Sequence, residues 1–325
     1  MLFPWQEELW AQLRAHRDRQ PHALLIHGRS GIGKLALAEH FAQSLLCESL
    51  DQRSAPCGEC SSCRWFLAGS HPDFRRLEPE ALARHFEGAE DADAPAPASA
   101  KPAKPSTEIK VDQVRALDGF LNLQSHRGGR RVALVHPAED MNPNAANALL
   151  KGLEEPPAGA LFLLVSHRPA RLPATVRSRC VAVPVPVPDA AACAAWLAQQ
   201  GAKDAGAWLA FASGAPLSAL RYAQGSGVAL NRLREALQAG DRGALGGMND
   251  RAQIEELAEV LQKHALDIVF ASYCGSAKYG LGKLSVNAAA WLRYARRAGR
   301  NRELARHPLN PRLFAEEMVG GMPKE

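Results

Sequence analysis

The segment Gly28-Arg29-Ser30-Gly31-Ile32-Gly33-Lys34 narrows the fold more than any other, because it sits between the apolar run Ala23-Leu24-Leu25-Ile26 and a stretch of helical periodicity. Strand, glycine-rich loop and helix in that order build a phosphate cradle: backbone N–H groups point at the anion and the lysine holds its oxygens. Such a loop needs a parallel sheet behind it, which predicts an α/β domain with flanking helices. Gly28, Gly31, Gly33 and Lys34 are the candidate phosphate-binding residues. The chemistry around them is incomplete. Position 35 is leucine, where a hydroxyl would ligate Mg²⁺, and the apolar run 132–135 is followed by His136-Pro137, where a carboxylate pair would complete the metal site. Glu139-Asp140 come next, but Pro137 ends the strand, and an extended path carries those carboxylates out of metal reach. Two readings stay open: weak nucleotide or phosphate binding without hydrolysis, or a loop kept only as a tight strand-helix turn.

Four of the seven cysteines, Cys47, Cys57, Cys60 and Cys63, fall within seventeen residues. Two-residue spacers let thiolates converge on one tetrahedral ion, so Cys57-Gly-Glu-Cys60-Ser-Ser-Cys63 reads as a metal knuckle, with Cys47 as the fourth ligand to a structural Zn²⁺. A disulfide or a chance cluster of thiols is the alternative. Zinc fits a reducing compartment, and a cytoplasmic protein is expected: no charged-then-apolar leader opens the sequence, and no apolar run is long enough for a membrane span. Cys180, Cys193 and Cys274 lie in apolar or alanine-rich contexts and are predicted buried.

The 325 residues, 46% hydrophobic and 22% charged, suffice for two or three separate cores. Periodicity predicts a helix over 4–17, strands at 22–27, 74–77, 132–135 and 161–165, and helices after the phosphate loop, over 114–123 and over 144–155. Beyond Pro188 only helices are expected, with a break at Gly225-Ser226-Gly227. Residues 88–107 turn to Ala, Pro, Asp, Glu and Lys, which predicts a disordered insertion. The net charge of +5 permits an acidic partner such as DNA without requiring one. Basic residues cluster at Arg127, Arg130 and Arg131, and at Arg293, Arg296, Arg297, Arg300, Arg302 and Arg306, where the spacing distributes them around a helix. His22, His27 and His136 flank buried strands and read as core or edge histidines in place of metal ligands.

Several strings are recognisable together: the knuckle, His71-Pro72-Asp73, Ala145-Ala-Asn-Ala-Leu-Leu-Lys-Gly-Leu-Glu-Glu-Pro-Pro157 and Leu172-Pro-Ala-Thr-Val-Arg-Ser-Arg-Cys180. On these, and more weakly on Ala212-Ser-Gly-Ala-Pro216 and His307-Pro-Leu-Asn-Pro311, the chain resembles the bacterial clamp-loader family of AAA+ proteins, components of the DNA polymerase III holoenzyme. The resemblance implies an AAA+ P-loop domain over 1–182 with the zinc knuckle at 47–63. It further implies a small helical lid domain over 183–226 and a C-terminal all-α collar domain for oligomerisation over 227–325. ATP-hydrolysing members carry Ser or Thr after the loop lysine, Asp-Glu after the second motif strand and an arginine in the lid; Leu35, His136-Pro137 and Leu217 stand there in this chain. The resemblance therefore implies a member that hydrolyses no ATP, in a hetero-pentamer with gamma/tau-type ATPase and delta-type subunits. Through the complex it would act on a sliding clamp and primer-template DNA.

Within the Ser178-Arg179-Cys180 string, the resemblance makes Arg179 an arginine finger acting in trans on a neighbour's ATP. Taken without the family, Arg179 reads as a structural arginine paired with a carboxylate. The rival function is a catalytically active AAA+ ATPase of a clamp loader or another DNA-remodelling complex, and Leu35 and His136 separate the two.

Overall fold

The computed structural model describes residues 2–19, 21–49, 56–83, 105–123, 125–126, 129–224, 232–233, 235–237, 239–246, 251–281, 287–304 and 310–323. Most of the 88–107 insertion, the break at 225–228, Arg127 and Arg306 lie outside them. The chain divides into two compact units, residues 1–187 and 188–325.

In the first unit the apolar runs become strands of one parallel sheet: β1 (Ala23–His27), β2 (Phe74–Leu77), β3 (Arg131–Val135), β4 (Ala160–Ser166) and β5 (Val181–Pro184), in the order β2-β3-β4-β1-β5. Every residue of β3 and β4 is buried, as continuous apolar runs demand of strands covered on both faces. β5 is a sheet edge, with Val181 exposed. Helix α1 (Glu7–Arg19) precedes β1, and α2 (Lys34–Leu46), α3 (Ser61–Leu67), α4 (Val111–Asn122), α5 (Pro143–Glu154) and α6 (Ala174–Arg177) connect the strands. Val114, Leu117, Phe120, Leu149 and Leu153 from α4 and α5 join Phe162 and Leu164 of β4 in one core. Asn142 caps α5 by accepting from the Ala145 N–H at 2.8 Å, with Pro143 in the first turn. This order sets the β1–α2 loop beside the carboxyl end of β4, along the edge at which open parallel sheets bind ligands.

The second unit contains only helices among its described residues, from Ala190–Gln199 to Pro311–Gly320. Glu259 on the helix Arg251–Cys274 accepts from Tyr222 Oη at 2.9 Å, Lys263 Nζ at 2.6 Å and Arg302 at 3.2 Å, joining three helices through one half-buried carboxylate. Among the described residues, no helix is long and apolar enough to cross a membrane.

Candidate functional site

The phosphate loop has its expected backbone and an altered surrounding. Gly28 N–H donates to the Ser166 carbonyl at 3.2 Å, fixing the loop against the end of β4. Gly33 has φ +91, and a Cβ there would stand 2.7 Å from both Gln6 Nε2 and Phe3 Cδ2, so glycine is required on two grounds. Those neighbours belong to the 3₁₀ turn Pro4–Gln6 and to Phe3 at its N-cap, which lie on the loop: Gln6 Nε2 donates to the Gly33 carbonyl at 2.9 Å, and Trp5 Nε1 to the Ile32 carbonyl at 3.0 Å. Phe3 stacks on Trp5, ring centroids 4.9 Å apart. Lys34 is 2% exposed, and its Nζ donates to the Arg29 carbonyl of its own loop. Burial lowers its pKa to about 8, against the opposing pull of Glu139.

That electrostatic influence of Glu139 is unexpected from the sequence. An extended path beyond Pro137 would carry the carboxylate away; instead the 3₁₀ turn Ala138–Asp140 folds back over the end of β4. The Glu139 oxygens accept from His167 N–H at 2.9 and 3.2 Å, and the negative charge acts on Lys34. His136, at the position of the missing acid, meets the His167 ring edge-on at 5.3 Å. Burial and the Lys34 charge hold His167 at about 4 and depress His27, so these imidazoles are neutral near pH 7. Leu35 is half-buried and offers no metal ligand. The arrangement leaves one buried cation in the field of one carboxylate already bonded to backbone. His167 is the site residue that sequence reasoning missed, and Glu139 is one it named and set aside; the only signal was the short distance from the strand ends to the loop.

The four clustered cysteines converge as their spacing predicts. Their Sγ atoms all lie within 4.8 Å of one another, with Cys47–Cys57 at 3.6 Å and Cys47–Cys60 and Cys57–Cys63 at 4.0 Å. Four sulfurs ~2.3 Å from a shared tetrahedral centre would be about 3.8 Å apart, whereas a disulfide would need ~2.05 Å. The cluster therefore fits a metal ion and contains no disulfide. Backbone N–H groups of Cys57, Cys60 and Cys63 each donate to a cysteine sulfur at 3.4 Å, an environment suited to thiolate. Cys57 is lowered to about 6 by the N–H groups of Cys60 and Glu59, while burial raises Cys63 to about 12 and raises Cys47. A cation is what lets all four ionise together.

Arg179 follows α6 and stays on the surface, its NH1 donating to the Thr175 carbonyl at 2.9 Å and its NH2 2.5 Å from Glu154 Oε1. Its side chain is 35% exposed, so the guanidinium is oriented yet reachable. Of the other cysteines, Cys193 is buried as expected, Cys180 is half-buried and Cys274 is exposed, because its helix ends there beyond the packed turns. Burial pushes Cys180 and Cys193 up to about 11, which makes both unreactive. Arg131 is 4% exposed and 3.7 Å from Asp73, a core ion pair that contributes nothing to a basic surface. In the second unit Arg297 pairs with Glu317 and Arg302 with Glu259, while Arg293, Arg296 and Arg300 are exposed.

Residues 5–189 match the family described as DNA polymerase III, delta subunit. The delta-prime subunit of DNA polymerase III from Pseudomonas aeruginosa is 40% identical over 277 residues, covering 84% of this chain and 75% of its own. The delta-prime subunit from Yersinia pestis is 35% identical, covering 80% of this chain and 69% of its own. Among solved structures, a DNA polymerase III gamma subunit-related protein from Thermotoga maritima aligns over 95% of this chain and 97% of its own, with 19% identity and a TM-score of 0.42. On the family match and the identity to its relatives, the chain belongs to the delta-prime family of DNA polymerase III subunits.

Proposed function

We propose that the chain is a clamp-loader subunit that hydrolyses no ATP of its own and supplies Arg179 in trans to ATP on a neighbouring gamma/tau-type subunit. One observation carries this reading: Lys34 is buried and bonded to its own loop, with Leu35 and His136 where metal ligands would stand. A phosphoryl-transfer site works by positioning a metal and the phosphate charge, and this one has neither ligand for the metal. Arg179 supports the second half of the reading, since Thr175 and Glu154 orient a guanidinium that remains accessible. Glu139 alone does not restore an ATPase, because Leu35 still denies the loop its hydroxyl ligand for the metal.

In this reading residues 183–226 form a lid and residues 227–325 a collar. The collar joins a hetero-pentamer with gamma/tau-type and delta-type subunits in the cytoplasm. The complex loads a sliding clamp onto primed DNA, and any polymerase activity belongs to the holoenzyme. Cys47, Cys57, Cys60 and Cys63 would hold Zn²⁺, which closes the knuckle as a structural cross-link and leaves no open position for substrate.

The test is steady-state ATP hydrolysis by the purified chain, then by loader reconstituted with wild type or Arg179→Ala. The isolated chain is expected to be inactive. The variant should slow turnover at the adjoining site by ~10³-fold or more, the usual worth of such a finger. Robust hydrolysis by the chain alone would instead establish the active-ATPase reading.

A further inference from the structure

A buried polar run links the cysteine knuckle to the sheet, and it uses the His71-Pro72-Asp73 string for which the phosphate loop and the arginine give no role. Ser62, His71 and Asp73 are all at most 2% exposed. Asp73 N–H donates to His71 Nδ1 at 3.0 Å, so that nitrogen carries no proton and Nε2 does. Nε2–H therefore donates to Ser62 Oγ at 2.7 Å, and the hydroxyl proton is left for the carbonyl of Leu46, the residue before Cys47. On the far side, Asp73 Oδ1 accepts from His126 N–H at 3.0 Å and lies 3.7 Å from Arg131 Nε, and Arg131 donates to the Phe120 carbonyl at the end of α4.

The direction of each bond is fixed by its neighbour, and together they reach both segments that supply the thiols, Leu46-Cys47 and Cys60–Cys63. A buried hydroxyl and imidazole are costly unless paired, and apolar side chains would fill the same space at lower cost if packing were the only requirement. We propose that His71 is a positioning residue for the metal knuckle: acting through Ser62, it holds the Cys47 and Cys60–Cys63 segments at the separation four thiolates need and anchors them to the sheet. This rests on the reading of the cluster as a site for a thiophilic divalent cation, with zinc as the probe.

The experiment measures zinc release from the zinc-loaded full chain under chelator challenge. Asparagine places its oxygen near the Nδ1 position, so His71→Asn keeps the acceptor for Asp73 N–H and loses the donor to Ser62. Glutamine places its amide nitrogen near Nε2, so His71→Gln keeps that donor and loses the acceptor. Zinc release about ten-fold faster or more is expected for His71→Asn and for Ser62→Ala, with His71→Gln close to wild type. Ser62→Ala removes a single oxygen, so it answers the question even if a His71 variant fails to fold. Retention of zinc at the wild-type rate by Ser62→Ala, or faster loss in His71→Gln than in His71→Asn, overturns the proposal. If the wild-type chain takes up no zinc, the metal reading itself fails.

Discussion

The phosphate loop and the cysteine knuckle sit at the two ends of α2, and they persist in opposite ways. The loop retains the backbone of a nucleotide cradle, including the left-handed Gly33, while the side chains that would hold a metal beside it are replaced by Leu35 and His136. Its hydrogen-bonding capacity is turned inward: Trp5 and Gln6 serve its carbonyls and Lys34 serves Arg29. The knuckle has no regular element between Cys47 and Ser61 among the described residues, yet its four sulfurs come within bonding range of a common centre. One site is therefore a fold element defined by backbone; the other is a fold element defined by side-chain chemistry. The phosphate loop should tolerate loss of its charged residue and fail on a backbone change, whereas the knuckle should fail on loss of a single atom type.

The largest effect is expected at the knuckle. Cys60→Ser should release the bound metal and cost roughly 3 kcal/mol or more, about 6–12 °C in Tm for a unit of this size. Metal content and a melting curve measured together decide it; unchanged values for both would mean the cluster holds no ion. A smaller loss is expected from Gly33→Ala. The added methyl meets Gln6 and Phe3 at 2.7 Å and imposes φ +91 on a residue that disfavours it, costing about 1–3 kcal/mol in urea unfolding. A neutral result there would break the comparison by showing that the loop backbone is dispensable.

The strands, the loop and the four thiols were legible because each depends on local spacing: apolar runs of four to six residues within β1, β3 and β4, and two-residue gaps for the cysteines. What escaped local pattern depends on a third dimension. Glu139 meets His167 N–H and its charge acts on Lys34 only because a 3₁₀ turn folds back over the end of the neighbouring strand. The apolar Val181 is exposed because β5 is the sheet edge, a fact of strand order that periodicity does not carry. Arg131 looked like part of a basic surface beside Arg130, yet it is paired with an aspartate fifty-eight positions earlier in the chain. The His71–Ser62 bond spans nine residues and a helix, so the string was visible and its role was not.

The smallest effect, and the sharpest contrast with an active ATPase, is expected at Lys34. In a working phosphate loop the lysine is the residue whose loss abolishes activity; in this chain it is a buried amine whose folded pKa, about 8, lies below its ordinary value of 10.5. Above pH 10.5 both folded and unfolded chains have released the proton, and below about 8 both retain it. Between those limits the unfolded chain holds a proton that the folded chain has given up, so this group makes stability rise with pH from 8 to 10.5. Lys34→Met removes that rise and relieves the cost of a buried charge, so at pH 7 it should leave stability equal or higher by roughly 1 kcal/mol. Urea unfolding of both proteins at pH 7 and pH 9.5 measures the two quantities, with the gap between them closing at the higher pH. A variant that is instead less stable at pH 7, by an amount independent of pH, would mean that the lysine still holds the loop together through its charge and that the cradle has kept more of its original chemistry than Leu35 and His136 suggest.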